Sequence, residues 1–454
     1  MRRGLTLAWV LALVAAFHWW DVTLRFPRLL VWTWAFLGLF LGTAAVLFGR
    51  GMRARRREVW LPAAVWVALA LGADLATVLF PAVSVEGRRV AAAVWLPIVD
   101  LVLPIWMTAR ALALVWTGAS LWSFAAVAVP ALAVWAWSVM IRMPGRSHAG
   151  SLPPLTLEEE TIRRDLETHV RTLAGTIGER HYARPQALAR AVAYLQDALA
   201  RLGYEVTAQP FAAGGQTFHN LEVVIPGGSR ADEIVVVGGH YDTVEGSPGA
   251  DDNGSGSAAV VALARLLARD RPARTVRCVL FANEEPPFFE SGGMGSRVYA
   301  AQAARRGDRI VAMFALETIG YYSDRSGTQQ YPFPLGPFYP DRGDFIGFVG
   351  NLQSAPLVRR SIRVFRGTTA FPSEGVAAPA WIPGISLSDH ASFWLHGWRA
   401  IMISDTAPFR YPYYHSALDT PDKLDYARLA RVVAGVARVV RDVAGVAGVA
   451  GVGQ

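Results

Sequence analysis

Cysteine and lysine are almost missing from this 454-residue chain, each occurring once, as Cys278 and Lys423. A lone cysteine excludes a disulfide framework. Lying inside the strand-like run "TVRCVLFA", Cys278 reads as a small buried hydrophobe. Charge is also scarce, at 18% against a hydrophobic fraction of 53%, a balance unusual for a soluble enzyme. The net charge of +8 forms no basic stripe interleaved with aromatics, so no nucleic-acid partner is expected. Much of the arginine excess lies in the first third of the chain. The lack of lysine beside abundant arginine, alanine and glycine suggests a G+C-rich bacterial genome.

What the chain does have is apolar runs, near 5–24, 29–49, 59–81, 91–108 and 112–141. Several are long enough to cross ~30 Å of hydrocarbon, so residues 1–143 read as about five transmembrane helices set in a lipid bilayer. The fourth is interrupted by Pro97, Asp100 and Pro104. Arginines in "MRRG" and "GRGMRARRRE" place those segments in the cytoplasm. Five crossings then put everything after Met143 on the extracytoplasmic side of a bacterial inner membrane, and loss of the fourth would reverse this. "LVAAFHWWDV" offers tryptophans where cleavage needs small residues, so the first run is read as a retained anchor.

"RMPGRSHAGSLPPLT" supplies the proline, glycine and serine of a linker, taken as 144–154. A domain over 155–443 follows, opened by helical patterns in "LTLEEETIRRDLETHVRTLA" and "QALARAVAYLQDALARLGYEV" and closed by a helix near 424–443. The last stretch, 444–454, is a low-complexity tail. Within the domain, "EIVVVGG", "TVRCVLFA", "IVAMFALE" and "RAIMIS" alternate with helical stretches. The fold class is therefore α/β, a mostly parallel mixed sheet with helices on both faces, preceded by an all-α membrane bundle.

In such sheets, ligands gather beyond the carboxyl ends of the strands. His240 and Asp242 follow the first run, Glu284 and Glu285 the second, Glu317 the third, and His415 lies in the loop after the fourth, while Asp251 and Asp252 sit in a glycine-rich return loop. Carboxylates crowded together repel and need a cation. Mixed oxygen and nitrogen donors without thiolates suit zinc, manganese or cobalt. The donors are too many for one tetrahedral ion, but two ions ~3.5–4 Å apart would use them all, activating a water and polarising a carbonyl. Ser255 and Ser257 are expected to cap the following helix. The proline- and aromatic-rich segments 321–344 and 367–387 are expected to wall a substrate pocket.

"GGHYD", "GADDNGSG", "FANEEPPFFESGGMGS", "SDHASFW" and "YYHSALDTPDKLD" resemble the two-zinc aminopeptidases in sequence, order and spacing. That superfamily also holds glutamate carboxypeptidases, glutaminyl cyclases and the inactive transferrin receptors. The resemblance covers about 155–443 and implies two Zn2+ ions, with other divalent transition metals as possible occupants. His240 would hold one ion, Asp252 would bridge both, Glu285 would hold the other, and His415 matches the last ligand. Glu317, in "ALETIG", stands where an aspartate is common. Asp242 matches the carboxylate that orients the histidine ring, and Asp389 and His390 match a motif lying behind the ligands. Glu284 is implied as general base and then acid, and Tyr414 matches a tyrosine that donates to the developing oxyanion in some relatives. The expected function is membrane-anchored zinc exopeptidase of aminopeptidase type, with peptide substrates. Cyclase-like or carboxypeptidase-like chemistry on the same scaffold, and a non-catalytic receptor, are the alternatives; the complete ligand set with Glu284 argues against the last.

Overall fold

The computed structural model describes residues 136–333 and 335–446. The apolar runs up to residue 135, with Asp100 and the arginine-rich loop, lie outside the described residues, as does the tail from 447. Among the described residues, no helix is long and apolar enough to cross a membrane.

Helix α1 (Leu157–Val170) starts where the acid-rich pattern predicts. Thr156 Oγ1 accepts the Glu159 N–H while the Glu159 carboxylate accepts the Thr156 N–H, a reciprocal capping box. Ile162, Leu166 and Val170, at helical spacing, are its buried face. Helix α2 (Pro185–Arg201) carries proline in its first turn, where no N–H is needed, and is followed by strands β1 (Thr207–Ala213), β2 (Gln216–Ile225) and β3 (Arg230–His240). The remaining elements are α3 (Gly256–Leu267), β4 (Arg274–Phe281), α4 (Gly295–Arg306), β5 (Arg309–Glu317), β6 (Ile346–Gly350), α5 (Ala355–Thr368), β7 (Ser373–Ala377), α6 (His390–Trp394), β8 (Ala400–Ser404) and α7 (Tyr426–Ala444).

The described strands form one eight-stranded sheet in the order β1-β2-β4-β3-β5-β8-β6-β7. Its centre, β4-β3-β5-β8, is parallel throughout, while β1, β2 and the β6–β8 pairing add antiparallel flanks. Alternation along β3 shows why the centre reads as continuous hydrophobic sequence. Val235 and Val237 enter the large cluster with α1, α3 and α7, whereas Ile234 and Val236 enter a second cluster on the other face with Tyr299 and Phe393. Both faces are dry, so every position is apolar.

Two sequence expectations change. Ser255 and Ser257 are not helix caps: their hydroxyls donate to the carbonyls of Asp251 and His240, while Asn253 Oδ1 accepts the Gly256 N–H. The segment 367–387 is not all loop, because Ser373–Ala377 pairs with β6 in parallel. The expected linker is fastened to the domain at several points, Arg366 donating to the carbonyls of Pro144 and Gly145 and the Ser147 hydroxyl accepting the Ser373 N–H.

Helix α7 packs on α1 and α5 so closely that Gly435 has no room for a methyl group. A Cβ there would lie 2.4 Å from Phe365, which is fully buried, and 2.6 Å from Thr369 Oγ1. Alanine is intrinsically the better helix former by about 1 kcal/mol, yet Gly435→Ala should destabilise by about 1–3 kcal/mol because overpacking wins. A lowered melting midpoint by circular dichroism is expected, and a raised one would refute the packing argument.

Candidate metal centre

The four central parallel strands end side by side, and their ends deliver the chemistry. His240 is the last residue of β3 and Glu317 the last of β5; Glu284 and Glu285 follow β4, and His415 lies in the loop after β8. Asp252 arrives from the loop between β3 and α3 and sits between the two histidines. Its Oδ1 is 3.3 Å from His240 Nε2 and its Oδ2 is 3.0 Å from His415 Nε2. Glu317 Oε2 is 3.3 Å from His240 Nε2, and Glu285 Oε2 is 3.5 Å from His415 Nε2. Two donor triads result, His240–Asp252–Glu317 and Asp252–Glu285–His415, sharing one carboxylate.

The spacing fits ions better than direct contacts. A tetrahedral zinc with bonds of ~2.0–2.1 Å holds its ligand atoms about 3.3 Å apart, close to the separations above. His240 Nε2 is buried and has no hydrogen-bond partner despite two oxygens nearby. A buried polar atom left in that state is otherwise costly. The donor set therefore fits the divalent transition metal that the chemistry implies.

Charge crowding perturbs every group. Burial, with Glu317, Glu285 and Asp389 adding to it against the pull of His240, raises Glu284 well above the usual carboxyl value. Burial likewise lifts Glu285 and Glu317 to about 7. Asp252 behaves oppositely: burial would raise it, but the imidazoles of His240 and His415 beside it hold it below the ordinary range. Burial works against protonation of His415, yet Asp252 and Glu285 push it up to about 10. Such opposed shifts within one cluster mark a functional site.

Around the donors lies a second set of contacts. The Asp242 carboxylate accepts the N–H groups of both Glu284 and Glu285 at 3.1 Å, and its Oδ1 is 3.4 Å from His240 Nδ1, whose closest partner is the Asp242 carbonyl at 3.2 Å. One side chain thus orients the imidazole and fixes the acids on the neighbouring strand. Tyr414 stacks on His415, ring centroids 3.8 Å apart. Asp389 is fully buried, close enough to His240 for their charges to interact. His390 stands apart: its Nε2 meets the Ile385 carbonyl at 2.8 Å and its ring packs edge-on against Trp394, so it touches none of the donors.

Four important residues were not singled out from sequence. Asp419 accepts the N–H groups of Asp251 and Asp252 at 2.8 and 3.1 Å, fixing the loop that carries the shared carboxylate. Asn253 joins that loop to the end of β5, donating to the Leu316 carbonyl and accepting the Thr318 N–H. Ser388 donates to Glu317 Oε2 at 2.7 Å. Arg180, fully buried, donates to the carbonyls of Tyr241, Pro248 and Gly249. Asp419, Asn253 and Ser388 lie inside the quoted motifs, which was their only signal. Asp251, beside Asp252 in the glycine-rich return loop, accepts the Gly320 N–H and so ties that loop to the segment after β5.

A sheet whose strand ends gather two such triads beside an unshared acid defines the class of metal-dependent hydrolases. A model of peptidase family M28 matches residues 220–440. The uncharacterized protein YfbL of Escherichia coli (strain K12) is 39% identical over 274 residues, which cover 58% of this chain and 83% of the relative. Leucine aminopeptidase 1 of Arthroderma otae is 26% identical over 325 residues, 66% of this chain and 77% of its own. Among solved structures, BSAP, a zinc aminopeptidase from Bacillus subtilis, aligns with a TM-score of 0.52 over 64% of this chain and 97% of its own, at 15% identity, a likeness of fold. The chain belongs to peptidase family M28 and is a zinc metallopeptidase.

Removing Asp419 tests the support of the shared carboxylate. Asp419→Ala should weaken zinc binding about 10- to 100-fold, read by chelator competition on the folded protein. Unchanged affinity would show that Asp252 keeps its place without those two hydrogen bonds.

Proposed function

We propose that the chain is a membrane-anchored aminopeptidase that removes the amino-terminal residue of peptides, using two zinc ions held by His240, Asp252, Glu285, Glu317 and His415. One observation carries the reading: Asp252 presents one oxygen to each of two complete triads, and Glu284, beside them, belongs to neither. The fungal relative's name, leucine aminopeptidase, supports the aminopeptidase direction. The apolar runs before residue 142 support anchoring, and the arginine distribution supports an extracytoplasmic peptidase domain.

When bound, the ion pair would acidify a water and polarise the scissile carbonyl. Glu284 then takes the proton from the attacking water and passes it to the leaving amine. Its proton affinity, raised by burial above that of an ordinary carboxylate, suits a group that must hold the proton between its two transfers. Asp242 keeps the Glu284 backbone still during the transfer. Tyr414, held by its stack on His415, would donate to the developing oxyanion.

Glu284→Gln should retain zinc while hydrolysis falls by about 10²- to 10⁴-fold, whereas His240→Ala and Asp252→Ala should lose zinc as well as activity. Equal metal loss in all three would refute the division of roles. Matched peptides with free and acetylated amino ends test the class, cleavage of the free series alone being expected. Equal cleavage of both, or release from the carboxyl end, would replace the aminopeptidase reading. A reporter active only outside the cytoplasm, fused after Met143, should be active; inactivity would reverse the topology.

A further inference from the structure

The last apolar run ends within the described residues, at 136–141, and these pack on the peptidase domain. The turn Trp137–Ile141 lies at the end of the last run, and there the Arg359 guanidinium donates to the carbonyls of Ser138 and Val139. Met140 and Ile141 pack against a cluster that includes Leu335, Val376, Ile382 and Ile385. Farther along, Arg431 donates to the Pro153 carbonyl. The chain thus enters the domain already attached to it.

Around that entry, apolar side chains face outward. Phe333 is 93% exposed, Phe338 50%, Trp381 48% and Trp137 43%. Their loops belong to the same cluster through Leu335, Ile382 and Ile385, and Tyr339 donates to the Gly375 carbonyl at 2.8 Å while stacking on Tyr331. Large apolar groups gathered on one side of a water-facing surface mark a contact with something apolar. The Arg142 guanidinium, 5.8 Å from the Trp137 ring centroid, adds a cation at the same level. Aromatic rings with a neighbouring arginine at the end of an apolar run are what the headgroup layer selects.

We propose that Trp137, Phe333, Phe338 and the loop 379–387 form a bilayer-contact surface that seats the peptidase domain on the lipid headgroups. The inference rests on the anchored reading above and adds that the domain lies against the membrane instead of swinging on a tether. The occupant is lipid because the last apolar run ends at this patch, its residues Met140 and Ile141 packing against the cluster from which the two loops rise.

Spin labelling of the full chain tests this. Cys278 is buried and its thiol is pushed up to about 12 by burial, so it escapes labelling. Phe333→Cys, Trp381→Cys and, as a reference on the exposed end of α4, Arg305→Cys are labelled with nitroxide and reconstituted in vesicles of phosphatidylethanolamine and phosphatidylglycerol. Labels at 333 and 381 should be severalfold more accessible to oxygen than to a water-soluble nickel chelate, relative to the label at 305. Aqueous readings at 333 and 381, on protein that still floats with vesicles after a carbonate wash, overturn the inference and leave anchoring intact. Protein that washes off overturns both. Dipolar broadening between labels on neighbouring chains assigns the patch to a second copy, and overturns the bilayer contact.

Discussion

Repulsion among buried acids is the constraint from which the rest of this molecule follows. Asp252, Glu284, Glu285, Glu317 and Asp389 are all buried within reach of one another's charge. Two like charges ~4 Å apart cost about 4 kcal/mol at an effective dielectric near 20. Two histidines and Arg180 cannot neutralise such a set, and burial first, then the neighbouring carboxylates, raise the proton affinity of Glu284, Glu285 and Glu317. Bound zinc would reverse that response and favour the ionised carboxylates. The cluster is therefore a liability without metal and a strong site with it.

Holding repelling groups together requires a frame that does not yield, and the sheet supplies it. His240 and Glu317 end neighbouring strands, so backbone pairing fixes their separation before either side chain is considered. Loop residues need more. Asp242 clamps the pair after β4, Asp419 clamps the pair after β3, and Asn253 connects the second loop to β5. Strain collects here as well. Among the described residues other than glycine, the five with positive φ are Asn283, Glu290, Thr318, Thr406 and His415, and three of these are, or adjoin, a donor or Glu284. A left-handed backbone at such residues is kept only where its surroundings impose it.

How much of this could be read from sequence follows from the kind of signal each residue leaves. Strand ends are legible because both faces of a parallel sheet are buried, and the donors at those ends stood out as polar residues closing apolar runs. The flanks were less so: β1 and β2 alternate weakly, and β7 hides in a proline-rich stretch whose strand character comes only from pairing with β6. Asp419 and Ser388 act on main-chain N–H groups or on another side chain far away in sequence, a relation composition does not encode. Ser255 and Ser257 misled because serine before a helix usually caps it. Here Asn253 Oδ1 accepts the Gly256 N–H, and both serine hydroxyls donate to carbonyls instead, those of Asp251 and His240.

The longer carboxylate at Glu317 shows how frame and chemistry meet. Its extra methylene would let the head group wander, and a wandering oxygen makes a poor ligand. Ser388 prevents this by donating to Oε2 at 2.7 Å, the same oxygen that lies 3.3 Å from His240 Nε2, while Asn253 Nδ2 approaches it at 3.5 Å from the opposite loop. Donation to an ionised oxygen also draws off part of its negative charge, which tempers repulsion with Asp252. Ser388 immediately precedes Asp389, so one segment both steers Glu317 and places an acid behind His240. The departure from a shorter aspartate is thus matched by a donor on the opposing chain segment, and the triad keeps the spacing that a tetrahedral ion requires.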